Sequence, residues 1–181
     1  MRKWFLVFGA CLYVFHGLSQ DAPINNVLTD RHEIKINGLS LVLGAIEADY
    51  QYILNEESAL GLDVLFAFDD ETLSVNYFFA PYYRQYFGKR IASGFFVEGF
   101  GMLNSTNDYL YSYNEDAQGF YYDGNYTDVT DFALGIGTGV KFLTNKGFVL
   151  EIDLGVGRNL FKSDRDFKII AKGGISLGYR F

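Results

Sequence analysis

The chain has 181 residues, 49% of them apolar and 18% aromatic, with 20 Gly, 2 Pro and a formal charge of -7. That length fits one domain, and with 22 acidic against 15 basic residues there is no clustered basic surface for a polyanion, which excludes nucleic acid as a partner. Mean hydropathy is +0.04, so the apolar residues are interleaved with polar ones instead of being gathered into a spanning helix.

Residues 1–19 read as a secretory signal: a basic start at Arg2 and Lys3, an apolar run from Trp4 to Phe15, and small residues at Gly17 and Ser19 before a cut ahead of Gln20. The run is well short of the roughly twenty residues that a transmembrane helix needs. Cys11, the only cysteine, lies inside it, so the exported chain is expected to hold together without disulfides, as a closed hydrogen-bonded sheet can. Residues 20–32 read as a short periplasmic lead, and 33–181 as one all-β domain.

From there the pattern is period-two alternation broken by turn residues, with no stretch at helical spacing. Strands are expected at 33–43, 45–54, 59–68, 73–87, 93–103, 131–143, 148–157 and 167–181. In the third, Leu60, Leu62, Val64, Phe66 and Phe68 share one face, opposite Ala59, Gly61, Asp63, Leu65 and Ala67. The sixth sets Phe132, Leu134, Ile136, Val140 and Phe142 against Ala133, Gly135, Gly137, Gly139 and Lys141; the seventh and eighth repeat the contrast. In the first, the phase slips near Asn37-Gly38, and a bulge at Gly38 would restore it.

A soluble sandwich would turn the bulky apolar face inward, whereas a membrane barrel turns it outward. Here the opposite face is glycine-rich with isolated charges, as a narrow lumen requires. Connections alternate between tight (55–58, 88–90, 144–147) and long (104–130, 159–166), which is the outer-membrane pattern. The fold expected is therefore an all-β, eight-stranded, antiparallel, up-and-down transmembrane barrel.

The final residues Ile175-Ser176-Leu177-Gly178-Tyr179-Arg180-Phe181 resemble the last strand of outer-membrane barrels. That resemblance implies that Tyr179 and Phe181 form a signal read by the barrel-insertion machinery. Tyr82–Gly88, Gly94–Gly101 and Lys172–Ser176 resemble small eight-stranded barrels of Bacteroidota, a group of uncharacterised families. The resemblance implies the outer membrane of a Gram-negative bacterium and carries no activity. With Phe181 as the last residue, no peptidoglycan-binding domain is expected to follow the barrel.

The alternation places Glu47, Asp49, Gln51, Asp63, Arg84, Glu98, Lys141, Glu151, Asp153, Lys172 and Arg180 in the lumen. Mixed signs in so narrow an interior favour a plug of ion pairs over a porin-like channel, because buried charges persist when paired. Arg84 and Glu98 are expected to share one network. An enzyme would need a nucleophile with a base, and the exported chain has one histidine, His32, ahead of the first strand; Ser176 with Asp63 or Glu151 is an unusual substitute. No catalytic residue, cofactor or metal is expected, and Asp123-Gly124-Asn125 lacks the spacing of a calcium loop.

The segment 104–130 carries Tyr109, Tyr111, Tyr113, Phe120, Tyr121, Tyr122 and Tyr126 among acids and has no Lys or Arg. Two readings stand: a surface that recognises a protein or glycan, or two strands prolonged as a hairpin. Function is thus expected to be structural or surface-binding, in a monomer surrounded by outer-membrane lipid. The alternatives are a lipid-modifying outer-membrane enzyme and a soluble exported barrel holding an apolar ligand.

Overall fold

A computed structural model describes residues 30–69, 73–116, 119–161 and 168–181, the side chains of 108–127 excepted. The expected signal 1–19 and most of the lead lie outside the described residues. Strands β1 (His32–Asn37), β2 (Ala45–Ile53), β3 (Ser58–Ala67), β4 (Val75–Tyr86), β5 (Gly94–Asp116), β6 (Gly119–Leu143), β7 (Phe148–Asn159) and β8 (Ile169–Arg180) are joined by one short helix, α1 (Gly38–Val42). Each strand pairs antiparallel with its chain neighbours, and β1 with β8 closes the barrel. Residues 54–57, 87–93 and 144–147 turn the chain at one end, the turn end; the other is the hairpin end.

Alternation fixes which side chains point inward. On β7, Val149, Glu151, Gly155 and Gly157 are buried while Phe148, Ile152, Leu154 and Val156 are exposed. The outer wall is a continuous band of aliphatic side chains, among them Ile34, Leu62, Val97, Ile136, Leu154 and Leu177. Exposed aromatics flank it, with Tyr83, Phe87, Phe95, Phe148 and Tyr179 toward the turn end and Phe66, Phe68, Phe79 and Phe161 toward the hairpin end. T-shaped ring pairs such as Phe66–Phe79 and Phe148–Tyr179 lock these girdles across strands.

The interior works by size complementarity. Phe96, Glu98 and Phe100 on β5 stand directly opposite Gly139, Gly137 and Gly135 on β6. A Cβ at Gly139 would come within 2.5 Å of both the Ile152 carbonyl and the Phe96 ring, and one at Gly135 within 2.2 Å of the Phe100 ring. The glycines therefore make room for large inward side chains to lie across the neighbouring strand.

Two expectations are corrected. The first strand does not run to Leu43 over a bulge: it ends at Asn37, whose side-chain oxygen accepts from the Leu39 N–H (3.0 Å) and the Ser40 N–H (3.4 Å) and so caps α1. The segment 104–130 is not the long connection implied by strands ending at 103 and starting at 131 but the prolonged hairpin of the second reading: β5 and β6 stay paired from Gly94↔Lys141 to Asp116↔Gly119. Beyond Asn107 neither strand has another strand neighbour among the described residues, so a two-stranded ribbon continues for nine residues of β5, roughly 30 Å at about 3.3 Å per residue.

Replacing Gly139 by Ala should cost about 1–3 kcal/mol through overpacking against fixed backbone. Gly99→Ala, at an outward site with nothing within 4 Å of the new carbon, should change stability by no more than about 0.5 kcal/mol. Urea midpoints of the two refolded variants, set against the parent, check the contrast.

Candidate functional site

The charged side chains of the interior form one connected network toward the turn end. Glu151 on β7 is its hub: it accepts from Lys35 Nζ (2.9 and 3.0 Å) and from Arg84 Nη1 (2.8 Å), and Lys141 Nζ lies 3.4 Å away. Arg84 also reaches Glu98 through Nη2 (2.7 Å) and Nε (3.0 Å). The register explains this second contact, since Arg84 and Glu98 are directly opposed on β4 and β5. The guanidinium sits 3.9 Å from the centre of the Phe96 ring and 4.5 Å from that of Tyr82, a cation–π arrangement that strengthens as water is excluded.

A second group lies closer to the turn end. Glu33 takes Arg180 Nε on one oxygen (2.6 Å) and Lys141 Nζ on the other (2.6 Å). Lys141 also donates to Gln51 Oε1 (2.9 Å) and to the Tyr86 hydroxyl (2.5 Å). Arg180 goes further and donates to the carbonyls of Ile91 (3.0 Å) and Ala92 (2.9 Å), which holds the β4–β5 turn across the mouth of the barrel. Ala92 adopts φ 43° there and packs with Ile53, Ala59, Tyr86 and Phe96. The turn end is thereby stoppered by apolar contacts from one side and by Arg180 from the other.

Toward the hairpin end the balance changes. Lys172 bridges Glu98 (3.0 Å) and Asp63 (3.3 Å), Asp49 accepts from the Tyr82 hydroxyl (2.8 Å) and from Lys35 (3.2 Å), and Glu47 accepts from Asn37 Nδ2 (2.9 Å) and from the Ser40 hydroxyl. Asp153 is half-buried beside them. A cavity of about 10 Å³, room for about one water, lies among Asn37, Glu47, Asp63, Asp153, Lys172 and Ser176. Above it the interior turns apolar: Leu65, Phe78, Met102 and Ile170 are buried in one cluster with Tyr82 and Phe100.

All ten charged residues assigned to the lumen from alternation face the interior, nine of them buried and Asp153 half-buried. Glu33 and Lys35, buried and central to the network, were missed. The alternation His32-Glu33-Ile34-Lys35-Ile36-Asn37 carries them on the inward phase, but the phase slip that follows obscures it. The apolar chamber was missed as well, because Leu65, Met102 and Ile170 fall on a face whose other members are small or charged. Ser176 is opposite Glu151, whose oxygens already take three cations. His32 lies at the turn-end rim, bonded to the Tyr50 hydroxyl (2.7 Å) and stacked on Phe181. Tyr179 and Phe181 are exposed at that rim. On the ribbon, the backbone register sets Tyr109 opposite Tyr126 and Tyr113 opposite Tyr122, with Tyr111 facing Gly124 and Tyr121 facing Asn114; the side chains of these tyrosines lie outside the described residues.

Residues 10–177 match the family model described as "Protein of unknown function (DUF3575)", and the chain belongs to that family. No curated protein is significantly similar to it in sequence. Among solved structures, the N-terminal β-barrel domain of Pseudomonas aeruginosa OprF superposes with a TM-score of 0.58 at 15% identity, over 84% of this chain and 98% of that one. Neisserial surface protein A (NspA) gives a TM-score of 0.44 at 14% identity, over 83% and 93%. The first likeness is one of fold, a closed antiparallel barrel.

Arg84→Met should leave Glu98 and Glu151 each short of a partner in a buried site, and destabilise the barrel by about 3–5 kcal/mol. Adding Glu98→Gln should recover part of that loss. A double-mutant cycle on the unfolding midpoints checks the coupling, and strictly additive effects would show that the pair does not interact.

Proposed function

We propose that this DUF3575 protein spans the outer membrane of a Gram-negative bacterium as a monomeric, sealed, non-enzymatic barrel that carries a paired ribbon outward. The observation that carries this reading is the outer wall. An apolar band that encircles the barrel between two aromatic girdles is far larger than the few hundred Å² of contiguous apolar surface that soluble monomers expose, and it matches the way barrels meet lipid. The short turns would then face the periplasm and the β5–β6 ribbon the exterior. The affinity to Bacteroidota barrels belongs to the same proposal.

Sealing rests on the interior. Arg84, Lys35, Lys141 and Arg180 are each no more than 1% exposed and every one has a carboxylate partner, so these four cations fill the middle of the barrel as ion pairs. The same pairing argues against chemistry at Asp63, Glu98 and Glu151, each of which is already held by a cation. What remains for contact with the surroundings is the ribbon, with its tyrosines and acids, as a surface for an extracellular protein or glycan.

Detergent-extracted protein should migrate faster in gels before boiling than after, and should reconstitute into planar bilayers without steady conductance. Folded protein recovered from the aqueous periplasmic fraction would refute the membrane placement, and stepwise ohmic currents would refute the seal. Replacing 107–128 by a short Gly-Ser turn should preserve the gel shift and alter only surface binding, because barrel stability resides in the closed ladder.

A further inference from the structure

The barrel wall is complete only in its lower part. β1 pairs with β8 from Glu33↔Arg180 to Asn37↔Ser176 and then gives way to α1, whereas β8 extends back to Ile169. Among the described residues no strand pairs with Ile169–Ile175 on that side. The gap toward β2 is spanned only by α1, which touches both β2 and β8, and by a hydrogen bond from Asn37 Nδ2 to the Gly173 carbonyl (3.4 Å). The rest of the ladder, from β2 round to β8, has no such break.

A cavity of about 470 Å³ opens at this seam, within the range of about 300–1,000 Å³ typical of small-molecule sites. Its inner wall is the buried apolar group Leu65, Phe78, Met102 and Ile170, and its outer rim is Leu39, Leu43 and Ile175, which also belong to the exposed outer surface. The cavity therefore joins the interior chamber to the apolar band of the wall. In the membrane reading, on which this inference rests, that rim faces the acyl chains of the outer leaflet.

The polar groups at the two ends of the chamber narrow the chemistry. Asn104 lines the cavity and is fully buried; its amide donates to Asn159 Oδ1 (2.9 Å), but its own Oδ1 accepts from nothing. At the opposite, turn-end side of the chamber, Asp63 Oδ1 is buried and equally without a donor. These are the two buried side-chain atoms lacking partners among the described residues, and both are acceptors, so each end of the chamber calls for a donor. Asp131, buried and directly opposite Asn104, and Glu47 and Asp153 lower in the cavity make it hostile to an added negative charge.

We propose that the seam is a lateral binding site for a single-chain lipid whose head group donates hydrogen bonds and carries no negative charge. The chain enters between α1 and β8, and its body lies against Leu65, Phe78, Met102 and Ile170. The head meets Asn104 Oδ1.

The chain carries two methionines, Met1 in the expected signal and Met102, so [13C-methyl]methionine labelling of the exported protein places a single NMR reporter in the chamber. In phosphatidylcholine nanodiscs, 1-dodecanol should shift the Met102 methyl saturably. Laurate and dodecane should need at least tenfold higher mole fractions. Asn104→Leu should bring dodecanol down to the level of dodecane, and Leu65→Trp should abolish saturation; if Leu65→Trp loses the folded gel mobility, Ile170→Phe provides the same steric test. Linear, indistinguishable shifts for all three probes, or saturation that survives the filled chamber, would overturn the proposal. If the protein stays in water instead of entering nanodiscs, the membrane reading fails separately, and the same titration in buffer still decides the site.

Discussion

The constraint on which the rest depends is the width of a closed eight-stranded ladder. Such a barrel leaves an interior one side chain deep, so every inward residue must be small, or fill space, or find a partner. That explains why β6 is glycine at three consecutive inward positions where β5 presents Phe96, Glu98 and Phe100. It also explains why the charged side chains cluster. A lone Arg84 in that space would forfeit its hydration without return, whereas Arg84 between Glu98 and Glu151, with Phe96 and Tyr82 against its faces, is satisfied on every side.

The interior has two tiers, and the division follows from what each end must do. At the turn end, cations and carboxylates are interleaved around Gln51 and Tyr86, and Arg180 secures the Ile91–Ala92 turn over the mouth. Toward the hairpin end, Glu47, Asp49, Asp63 and Asp153 share few cations, and Leu65, Phe78, Met102 and Ile170 replace the ionic packing. The first tier braces the barrel with ion pairs. The second is where β1 ends early, where a cavity meets the wall, and where unpaired acceptors remain, so the tier with the weaker packing is also the one with room for a ligand.

The fold was legible because period two is a strong signal wherever the outer face is uniformly bulky: β3, β6, β7 and β8 could be assigned to faces residue by residue. Legibility failed where local interactions compete with that pattern. Asn37 ends β1 because its side chain satisfies two backbone N–H groups at once, and Asn-Gly-Leu-Ser reads equally as a turn, a bulge or a cap. The ribbon was legible only as one of two readings because tyrosines and acids alternate there without an apolar face, so pairing has no burial signature. Glu33 and Lys35 were hidden by the brevity of β1. The chamber was invisible because Leu65, Met102 and Ile170 on three strands become one cavity only when the register is known.

The central claim is that this fold is amphipathic in reverse, with the apolar face outward in lipid and the polar face sealed within. Single-cysteine spin labels along β3, in a background lacking Cys11, test it most directly. In lipid vesicles, labels at Leu60, Leu62 and Phe66 should be relaxed by oxygen and protected from a water-soluble nickel chelate, while a label at Ala59, fully buried, should be immobilised and protected from both. Free access of the nickel chelate to the Leu60, Leu62 and Phe66 series would contradict the account.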